Sequence, residues 1–549
     1  MRIWDRAWVH VAALLALAAA AFLPDLGQDT DIESREDRHA EIAREMVESG
    51  NYAVPHLCGQ PYIDKPPLFN WVVALLFRLT GRIDYAVARF PSVVMSTAAM
   101  LGIYALGRRW FSARAGLFAA AIWATSWLVV EWSRFARMDM MLASLILVAI
   151  VLADLAAAAR RGWAQAGAWA GACAVLGAAS LAKGPHAVFF FGVAAMALWR
   201  ARRGRWLPPV RLLLLGAALV VLIVGGWAVA TEARHPGHLR ELVNYQFGLA
   251  LHEHPKRVCL YIDQLLVRTV PWGLFAIGAA WWSTYRFRRF GYDFSAVAPL
   301  VLGVCVLALS APSNKRIHFL LPAVPMWTLW LGAFLDRSLT LRAGTAEPSE
   351  ELEPVPKWAF EWPLRAALTV GLAVTIGAAA VWGMRAVEAR AAGALVLALA
   401  AGLALAGTVA AWRGRLARAT AMLFLTCAVL GAAASPLSAR YATKIPEKIA
   451  ALRQIAEAIL PGVPVAEHHF EHEYLYFLMN RPVLFAQSLE ALRPFLETPG
   501  PRYIIVDATE SEAVRRLTPR PLREVGAWSF GESTVVVLST EPAAGARRR

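Results

Sequence analysis

Long apolar blocks separated by short polar segments dominate the chain. Most blocks are roughly 18–24 residues long, about the length that a helix needs to cross ~30 Å of hydrocarbon, so the pattern predicts about thirteen membrane spans. These cover residues 7–24, 86–107, 114–131, 139–158, 164–182, 185–199, 210–230, 270–285, 294–310, 317–335, 364–384, 391–411 and 417–434. The stretch at 66–79 is shorter and is interpreted as interfacial or re-entrant. No small-residue cleavage site follows the first block, which predicts a retained span.

Two longer polar regions flank these blocks. In the loop at 25–66, apolar residues recur at helical spacing from Glu36 onward, which predicts an amphipathic helix on the membrane surface. The tail has helical periodicity at 445–459 and strand-like runs at 463–467, 482–485, 503–506 and 534–538. We therefore expect a transmembrane domain at 1–435 and a small α/β domain at 436–549.

The basic residues follow the blocks in a regular way. The chain has 55 Lys and Arg against 40 Asp and Glu, a formal net charge of +15, which in a soluble protein would suggest nucleic acid. Here arginines concentrate in every second loop, for example at 108–114, 200–205 and 413–418. Because loops rich in Lys and Arg stay in the cytoplasm, we expect a cytoplasmic N terminus, an extracytoplasmic tail and a location in the plasma (inner) membrane. Membrane lipids, and no nucleic acid, are the expected surroundings.

The first outer loop carries candidate chemistry. Acidic residues precede or begin the predicted helix: Asp31, Glu33 and Glu36. Arg38 follows two residues after Glu36. Asp64 and Lys65 come before two prolines, which fix a rigid, extended turn. A lysine held there suits a phosphate. The structural alternatives are an acidic helix cap and a lysine side chain that only reaches toward water.

Later outer loops add further ionisable residues. Asp139 opens an otherwise apolar block, with Arg137 or Arg134 as its expected partner and a helix cap as the alternative. The remaining cationic candidates are Lys183, His254, Arg257 and Lys315. Together these loops bring basic groups and at least two acids to one membrane surface, which suits a lipid phosphate and a reacting centre. A divalent cation is compatible with these groups, but no spacing requires one, so the metal is left unknown.

An outward-facing reaction constrains the donor. The sequence has no nucleotide-binding Rossmann or P-loop pattern, so the donor must be delivered through the membrane, as a polyprenyl-phosphate sugar is. Alternatives are a transporter or flippase, another polyprenyl-carrier enzyme of surface polysaccharide assembly, and a non-catalytic scaffold. Transporters usually place polar sites near the bilayer midplane, whereas these blocks are mostly apolar.

The order of the motifs resembles a known family. Its elements here are the run from Glu36 to Met46, Ser49-Gly, Pro55, Asp64-Lys-Pro-Pro-Leu, Arg137-x-Asp139, Lys183-Gly-Pro, Glu253-His-x-x-Arg257 and the segment from Lys315 to Pro322. They resemble the membrane glycosyltransferases that include the lipid A aminoarabinose transferases and the protein O-mannosyltransferases. The resemblance implies a GT-C-like, α-helical polytopic fold, a polyprenyl-phosphate sugar donor and inversion of the anomeric centre in one displacement.

Three positions depart from the family pattern. Arg35 stands where the family has Asp, His39 where it has Tyr in the first loop, and Phe319 where it has Tyr before Leu-Pro. Glu36 therefore takes the role of the missing acid, or Glu33 or Asp31 does so from one helical turn back; an inactive or altered-specificity member is the alternative.

The resulting hypothesis places the donor phosphate among cationic side chains: Lys65, Arg137, Lys183, His254, Arg257 and Lys315. Their charges would stabilise the leaving phosphate. Glu36 or Asp139 accepts the proton of the acceptor hydroxyl. The sequence leaves open whether the acceptor is a lipid, a glycan or a protein.

Overall fold

Helices dominate the computed structural model, which describes residues 7–24, 26–27, 36–159, 162–244, 260–311, 315–342, 355–385, 390–441, 445–468, 473–481, 483–486, 488–530 and 533–540. The first ten helices, α1 to α10, are Ala7–Phe22, Glu36–Ser49, Leu68–Thr80, Tyr85–Trp110, Ala113–Thr125, Trp127–Ser133, Met138–Ala158, Trp163–Lys183, His186–Ala201 and Val210–Glu232. Helices α11 to α17 are Leu260–Arg268, Ala276–Phe290, Phe294–Ser310, Val324–Arg342, Lys357–Arg385, Arg390–Trp412 and Leu416–Tyr441. Short 3-10 turns at Trp272–Phe275 and Ile317–Ala323 precede α12 and α14.

Among the described residues, 7 helices are long and apolar enough to cross a membrane, or up to 9 if each of two bent pairs counts as one span. Four further predicted spans coincide with shorter apolar helices, at Ala7–Phe22, His186–Ala201, Phe294–Ser310 and Leu416–Ala432. Every predicted block thus lies on a helix or a bent pair. The stretch predicted to be interfacial or re-entrant forms the 13-residue helix α3.

Two predicted spans are broken rather than straight. Helices α5 and α6 meet at 64°, and α11 meets the segment Trp272–Phe290 at 114°. At the first break, the Ser126 hydroxyl donates to the Ile122 carbonyl at 2.6 Å, satisfying an oxygen near the end of α5. The Trp272 indole N–H donates to the Thr125 hydroxyl at 3.0 Å and joins the two breaks. Hydropathy alone misses such bends, because the flanking residues are equally apolar.

Helix α2 begins at Glu36 as predicted, but protein covers it, which corrects its expected exposure on the membrane surface. Its apolar residues pack against α3 and against the tail helix Glu473–Met479. The charged side chains of Arg44 and Glu41 are 0% and 1% exposed and pair at 2.7 Å. An amphipathic pattern predicts one buried face, whereas charged side chains of α2 are buried as well.

The C-terminal unit, residues 445–540, contains helices and a mixed sheet. Helices α18 to α21 are Ile445–Ala458, Glu473–Met479, Arg493–Glu497 and Ser511–Arg516. After the short hairpin of β1 (His56–Leu57) and β2 (Gln60–Pro61), strands β3 to β7 are Val465–His468, Val483–Phe485, Tyr503–Asp507, Arg523–Phe530 and Ser533–Ser539. The sheet order is β4-β3-β5-β7-β6, with β3 parallel to β4 and β5, and β7 antiparallel to both neighbours. Strands lie over all four predicted runs, and β6 was not predicted.

Helix α7 carries a buried carboxylate at each end. Asp139 lies in its first turn, and Asp154 near its last turn accepts from Arg109 at 2.8 Å and Arg202 at 2.9 Å. At about 1.5 Å per residue, the two carboxylates lie roughly 22 Å apart along the helix. The arginines near Asp154 belong to loops predicted to face the cytoplasm. The Asp139 end is therefore the opposite pole, where the predicted site residues Arg137 and Lys183 also lie.

Candidate functional site

A buried ion pair forms the centre of the candidate site. Helices α7 and α8 run antiparallel, so the first turn of α7 meets the last residue of α8, and Asp139 Oδ1 accepts from Lys183 Nζ. The two side chains are 1% and 6% exposed. Burying two charges is costly unless they pair, so these partners hold one another in place. The Lys183 ammonium also lies 4.7 Å from the centre of the Phe319 ring.

Further polar groups surround the Asp139 carboxylate. Arg137 Nε lies 3.4 Å from Oδ2 and His318 Nε2 lies 3.9 Å from Oδ1. The Trp132 ring packs against both, 4.9 Å from the Arg137 guanidinium carbon and 4.7 Å from the His318 ring centre. Asp139 Oδ2 is buried and accepts no hydrogen bond from the described residues. Oδ2 therefore keeps hydrogen-bonding capacity that the described residues do not use, beside the charge of Arg137.

Lysines from two other outer segments belong to this pole. Lys65 pairs with Asp64 at 2.6 Å, is about one-fifth exposed, and lies close enough for its charge to repel that of Lys183. Lys315 is 4% exposed and lies two residues before the turn Ile317–Ala323, which carries His318. Two prolines follow Lys65, and Pro67, at the start of α3, has a helical backbone conformation rather than the predicted extended one. These cations can hold an anionic group near Asp139.

Glu36 is part of a separate buried pair. Its carboxylate accepts from Arg89 at 2.9 and 2.5 Å and from the backbone N–H of Ala136 at 3.0 Å. Both side chains are almost fully buried, at 1% and 2% exposure. Glu36 thereby ties the start of α2 to α4 and to the segment that leads to Asp139. The geometry gives Glu36 a clear role in positioning that segment.

His39 lies one turn further along α2. Its Nδ1 bonds to Asn70 Oδ1 at 3.0 Å. Burial, together with the positive charges of Arg137 and Arg38, lowers the pKa of His39 to about 3. The imidazole is therefore neutral at physiological pH.

This shift predicts an acid-sensitive contribution to stability. Below about pH 6.5 the unfolded chain protonates His39 while the folded chain does not, so the free energy of unfolding falls as the pH decreases toward 3. When the pH is lowered from about 8 to about 4.5, we expect the thermal midpoint of the wild-type protein to decrease more than the thermal midpoint of His39→Gln. Equal losses in the two proteins would contradict the assignment of a neutral, buried imidazole.

The other predicted residues divide into two groups. Asp139, Lys183, Arg137 and Lys65 come together, and Arg38 contributes charge near His39. Asp31, Glu33, His254 and Arg257, together with Arg35, lie outside the described residues. Among the described residues, no group of three or more His, Cys, Asp or Glu side chains could hold a metal ion.

Three residues of this region were not predicted from the sequence: Arg89, His318 and Asn70. For Arg89 a signal existed, because a charged residue inside the apolar block at 86–107 requires a buried partner. His318 and Asn70 gave no such signal, since their positions depend on how distant segments pack.

Part of the sequence is similar to one protein family and to known glycosyl transferases. Residues 64–227 match the family described as dolichyl-phosphate-mannose-protein mannosyltransferase. The undecaprenyl phosphate-alpha-4-amino-4-deoxy-L-arabinose arabinosyl transferase of Pseudomonas aeruginosa (strain UCBPP-PA14) is 32% identical over 56% of each chain. Its Proteus mirabilis counterpart, transferase 2, is 29% identical over 45% of this chain and 46% of the relative. The chain thus matches about half the length of these relatives.

Solved structures match over nearly the whole chain. ArnT from Cupriavidus metallidurans, bound to undecaprenyl phosphate, superposes with a TM-score of 0.73 over 98% of both chains at 17% identity. The oligosaccharyltransferase of Archaeoglobus fulgidus gives a TM-score of 0.51, over 97% of this chain and 76% of that one, at 12% identity. These matches establish the fold. The resemblance that the motif order indicates is confirmed.

Proposed function

We propose, from this similarity to the undecaprenyl phosphate arabinosyl transferases, that the chain is an integral membrane glycosyltransferase. It moves a sugar from a polyprenyl-phosphate carrier to a lipid, glycan or protein acceptor on the outer face of the membrane. One observation carries this proposal: the buried Asp139 carboxylate, with an oxygen that accepts no hydrogen bond from the described residues, lies beside cationic side chains at one pole of the helical bundle.

The proposed topology has thirteen spans within residues 1–435, a cytoplasmic N terminus and an extracytoplasmic domain at 436–549. The two ends of α7 support it. Asp154 is held by arginines from loops rich in Lys and Arg, which belong on the cytoplasmic side. Asp139 then faces the outer side, where a lipid-linked donor would present its sugar.

The proposed reaction is a single displacement at the anomeric carbon. The acceptor oxygen forms a bond to that carbon, the bond to the carrier phosphate breaks, and the phosphate leaves with the electron pair. Lys65, Lys183 and Lys315 stabilise the growing negative charge, which is the largest electrostatic task of the transfer. His254 and Arg257 complete this set in the proposal.

Asp139 is the preferred acceptor of the hydroxyl proton. Its Oδ2 is buried and accepts no hydrogen bond from the described residues, whereas the Glu36 carboxylate accepts from Arg89 and from the backbone N–H of Ala136. A base needs a lone pair within reach of the proton that it removes. Glu36 is the second candidate, and Glu33 and Asp31 follow it.

Carrier binding tests the cationic site. Replacing Lys65 with Ala removes a charge-assisted contact worth about 1.5–3 kcal/mol, so the dissociation constant for undecaprenyl phosphate should rise on the order of 10- to 100-fold. Binding is measured with the full chain in lipid nanodiscs, by thermal stabilisation or native mass spectrometry. The effect should weaken in high salt, because ions screen such contacts.

A matched variant separates local charge from total charge. Lys357→Ala removes a lysine that is exposed at the start of α15, on the predicted cytoplasmic side. We expect this protein to bind undecaprenyl phosphate like the wild type. Equal losses in both variants would point to a nonspecific charge effect, and no loss in Lys65→Ala would contradict the phosphate site.

A further inference from the structure

Helix α2 places His39 within reach of the charges of the Asp139 centre. Glu36 contacts the backbone of Ala136, three residues before Asp139, and His39 follows Glu36 by three positions on the same face of α2. The charges of Arg137, Arg38 and Asp139 all act on the imidazole. His39 therefore lies where α2, α3 and the segment 134–139 meet.

The hydrogen bonding of His39 leaves one nitrogen available. Asn70 Oδ1 can only accept, so the bond at 3.0 Å places the proton on His39 Nδ1. Nε2 then carries a lone pair, and it accepts no hydrogen bond from the described residues. The Phe69 and Tyr62 rings meet the imidazole edge-on, with centres 5.7 and 6.5 Å away, and fix its plane.

The lone pair on Nε2 is a hydrogen-bond acceptor at a pole where most of the other polar groups are donors. Lysine and arginine groups at this pole donate hydrogen bonds and suit the oxygens of a phosphate or a sugar. The O–H and N–H hydrogens of a sugar need acceptors instead. Asp139 is engaged by Lys183 on one oxygen, and its other oxygen is assigned to the acceptor proton. His39 Nε2 is a neutral acceptor that neither task uses.

We propose that His39 Nε2 accepts a hydrogen bond from an O–H or N–H group of the transferred sugar, so that His39 helps to select that sugar. The inference rests on the proposed transferase function. It also gives a role to a departure from the family pattern. The family has a tyrosine, which carries a phenol group, at the position of His39. A phenol can donate to a sugar oxygen, whereas this imidazole nitrogen can only accept.

A neutral imidazole suits the sugar better than the phosphate. Burial and nearby cations hold the pKa of His39 at about 3, so the ring adds no positive charge to the site between about pH 5.5 and 8.5. Its contribution to binding should therefore stay constant over that range. A histidine that bound phosphate as a cation would lose its effect as the pH rises.

Binding of two carriers separates sugar recognition from phosphate recognition. The full chain in nanodiscs is titrated with undecaprenyl phosphate and with undecaprenyl phosphate-4-amino-4-deoxy-L-arabinose, the probe suggested by the relatives' names. His39→Phe should weaken binding of the sugar-bearing lipid roughly 10- to 100-fold, because a sugar donor loses its acceptor. Its affinity for undecaprenyl phosphate should be unchanged. Lys65→Ala should weaken both.

Two further variants guard against loss of the fold. His39→Gln keeps an N–H for Asn70 and an oxygen for the sugar, so it should retain most of the affinity that His39→Phe loses. His56→Phe replaces a histidine of the β1–β2 hairpin and should bind both lipids like the wild type. Thermal unfolding confirms that each variant is folded before titration.

The outcomes distinguish the two proposals. If folded His39→Phe and His39→Gln bind the sugar-bearing carrier as tightly as the wild type, His39 is a structural residue and the inference is overturned. Loss of sugar selectivity in the wild type between pH 5.5 and 8.5 would overturn it as well. A wild-type chain that binds neither lipid would instead contradict the proposed function.

Discussion

Replacing Asp139 with Asn is expected to lower the turnover of glycosyl transfer by about 10²- to 10⁴-fold, the usual contribution of a general base. The amide keeps the shape of the side chain but cannot take a proton from the acceptor hydroxyl. It also removes the negative charge that Lys183 and Arg137 face, so the variant should be less stable as well. Turnover must therefore be expressed per folded molecule.

Asp154→Asn provides the matched control on the same helix. Asp154 is as buried as Asp139 and also pairs with two cationic side chains, Arg109 and Arg202. It lies roughly 22 Å from Asp139 along α7, by the rise per residue of a helix. We expect Asp154→Asn to lose stability but to keep its turnover per folded molecule. Similar turnover in both variants would show that Asp139 is a structural residue.

Replacing Glu36 with Ala should destabilise the fold by about 3–5 kcal/mol, the usual cost of leaving one member of a buried ion pair without its partner. Arg89 would keep its charge in an environment where it is only 2% exposed, and the N–H of Ala136 would lose its acceptor. The purified protein should therefore unfold at lower denaturant concentration or temperature.

A double variant tests this origin of the loss. Glu36→Leu with Arg89→Met removes both charges together, and apolar replacement of a whole buried pair is often close to neutral. We expect the double variant to be more stable than Glu36→Ala. If the double variant loses as much stability as Glu36→Leu and Arg89→Met lose in sum, the two residues are not coupled. Glu36→Gln also distinguishes between the two candidate bases. If Asp139 is the base, each folded molecule of Glu36→Gln should retain more turnover than a folded molecule of Asp139→Asn.

Much of the fold follows from sequence periodicity. Apolar length and the arginine loops predict thirteen blocks, all of which lie on helices or bent pairs, and the start of α2 at Glu36 follows from its acidic first turn. The same alternation places Lys65, Asp139 and Lys183 on one side. When two antiparallel helices are neighbours, residues at helix ends on the same side of the membrane are expected to lie close together.

The partners inside the protein do not follow from periodicity. Glu36 meets Arg89, 53 positions away along the chain, and His318 meets Asp139 through a turn whose direction the sequence does not encode locally. The tail helix that covers α2 is a further case, because an amphipathic pattern cannot tell protein from membrane as its neighbour. Such contacts depend on the packing of distant segments.

Two of the three departures from the family pattern, His39 and Phe319, lie among the described residues near the Asp139–Lys183 pair. The charges of Arg137 and Asp139 act on His39, and Phe319 lies over the ammonium group of Lys183 where the family has a tyrosine. Each replacement changes a hydrogen-bonding group, while Asp139 and Lys183 match the family motifs. We therefore propose an altered sugar preference rather than a loss of activity.

Mass spectrometry of lipid extracts and surface glycans gives the most direct test of the central claim. Cells that lack this gene are compared with the same cells carrying the wild type or Asp139→Asn, at matched protein levels. The account predicts that one polyprenyl-phosphate sugar accumulates without the gene and with Asp139→Asn, while the same sugar disappears from one acceptor. Unchanged carrier and acceptor pools in all three strains, with the protein abundant, would contradict glycosyl transfer by this chain.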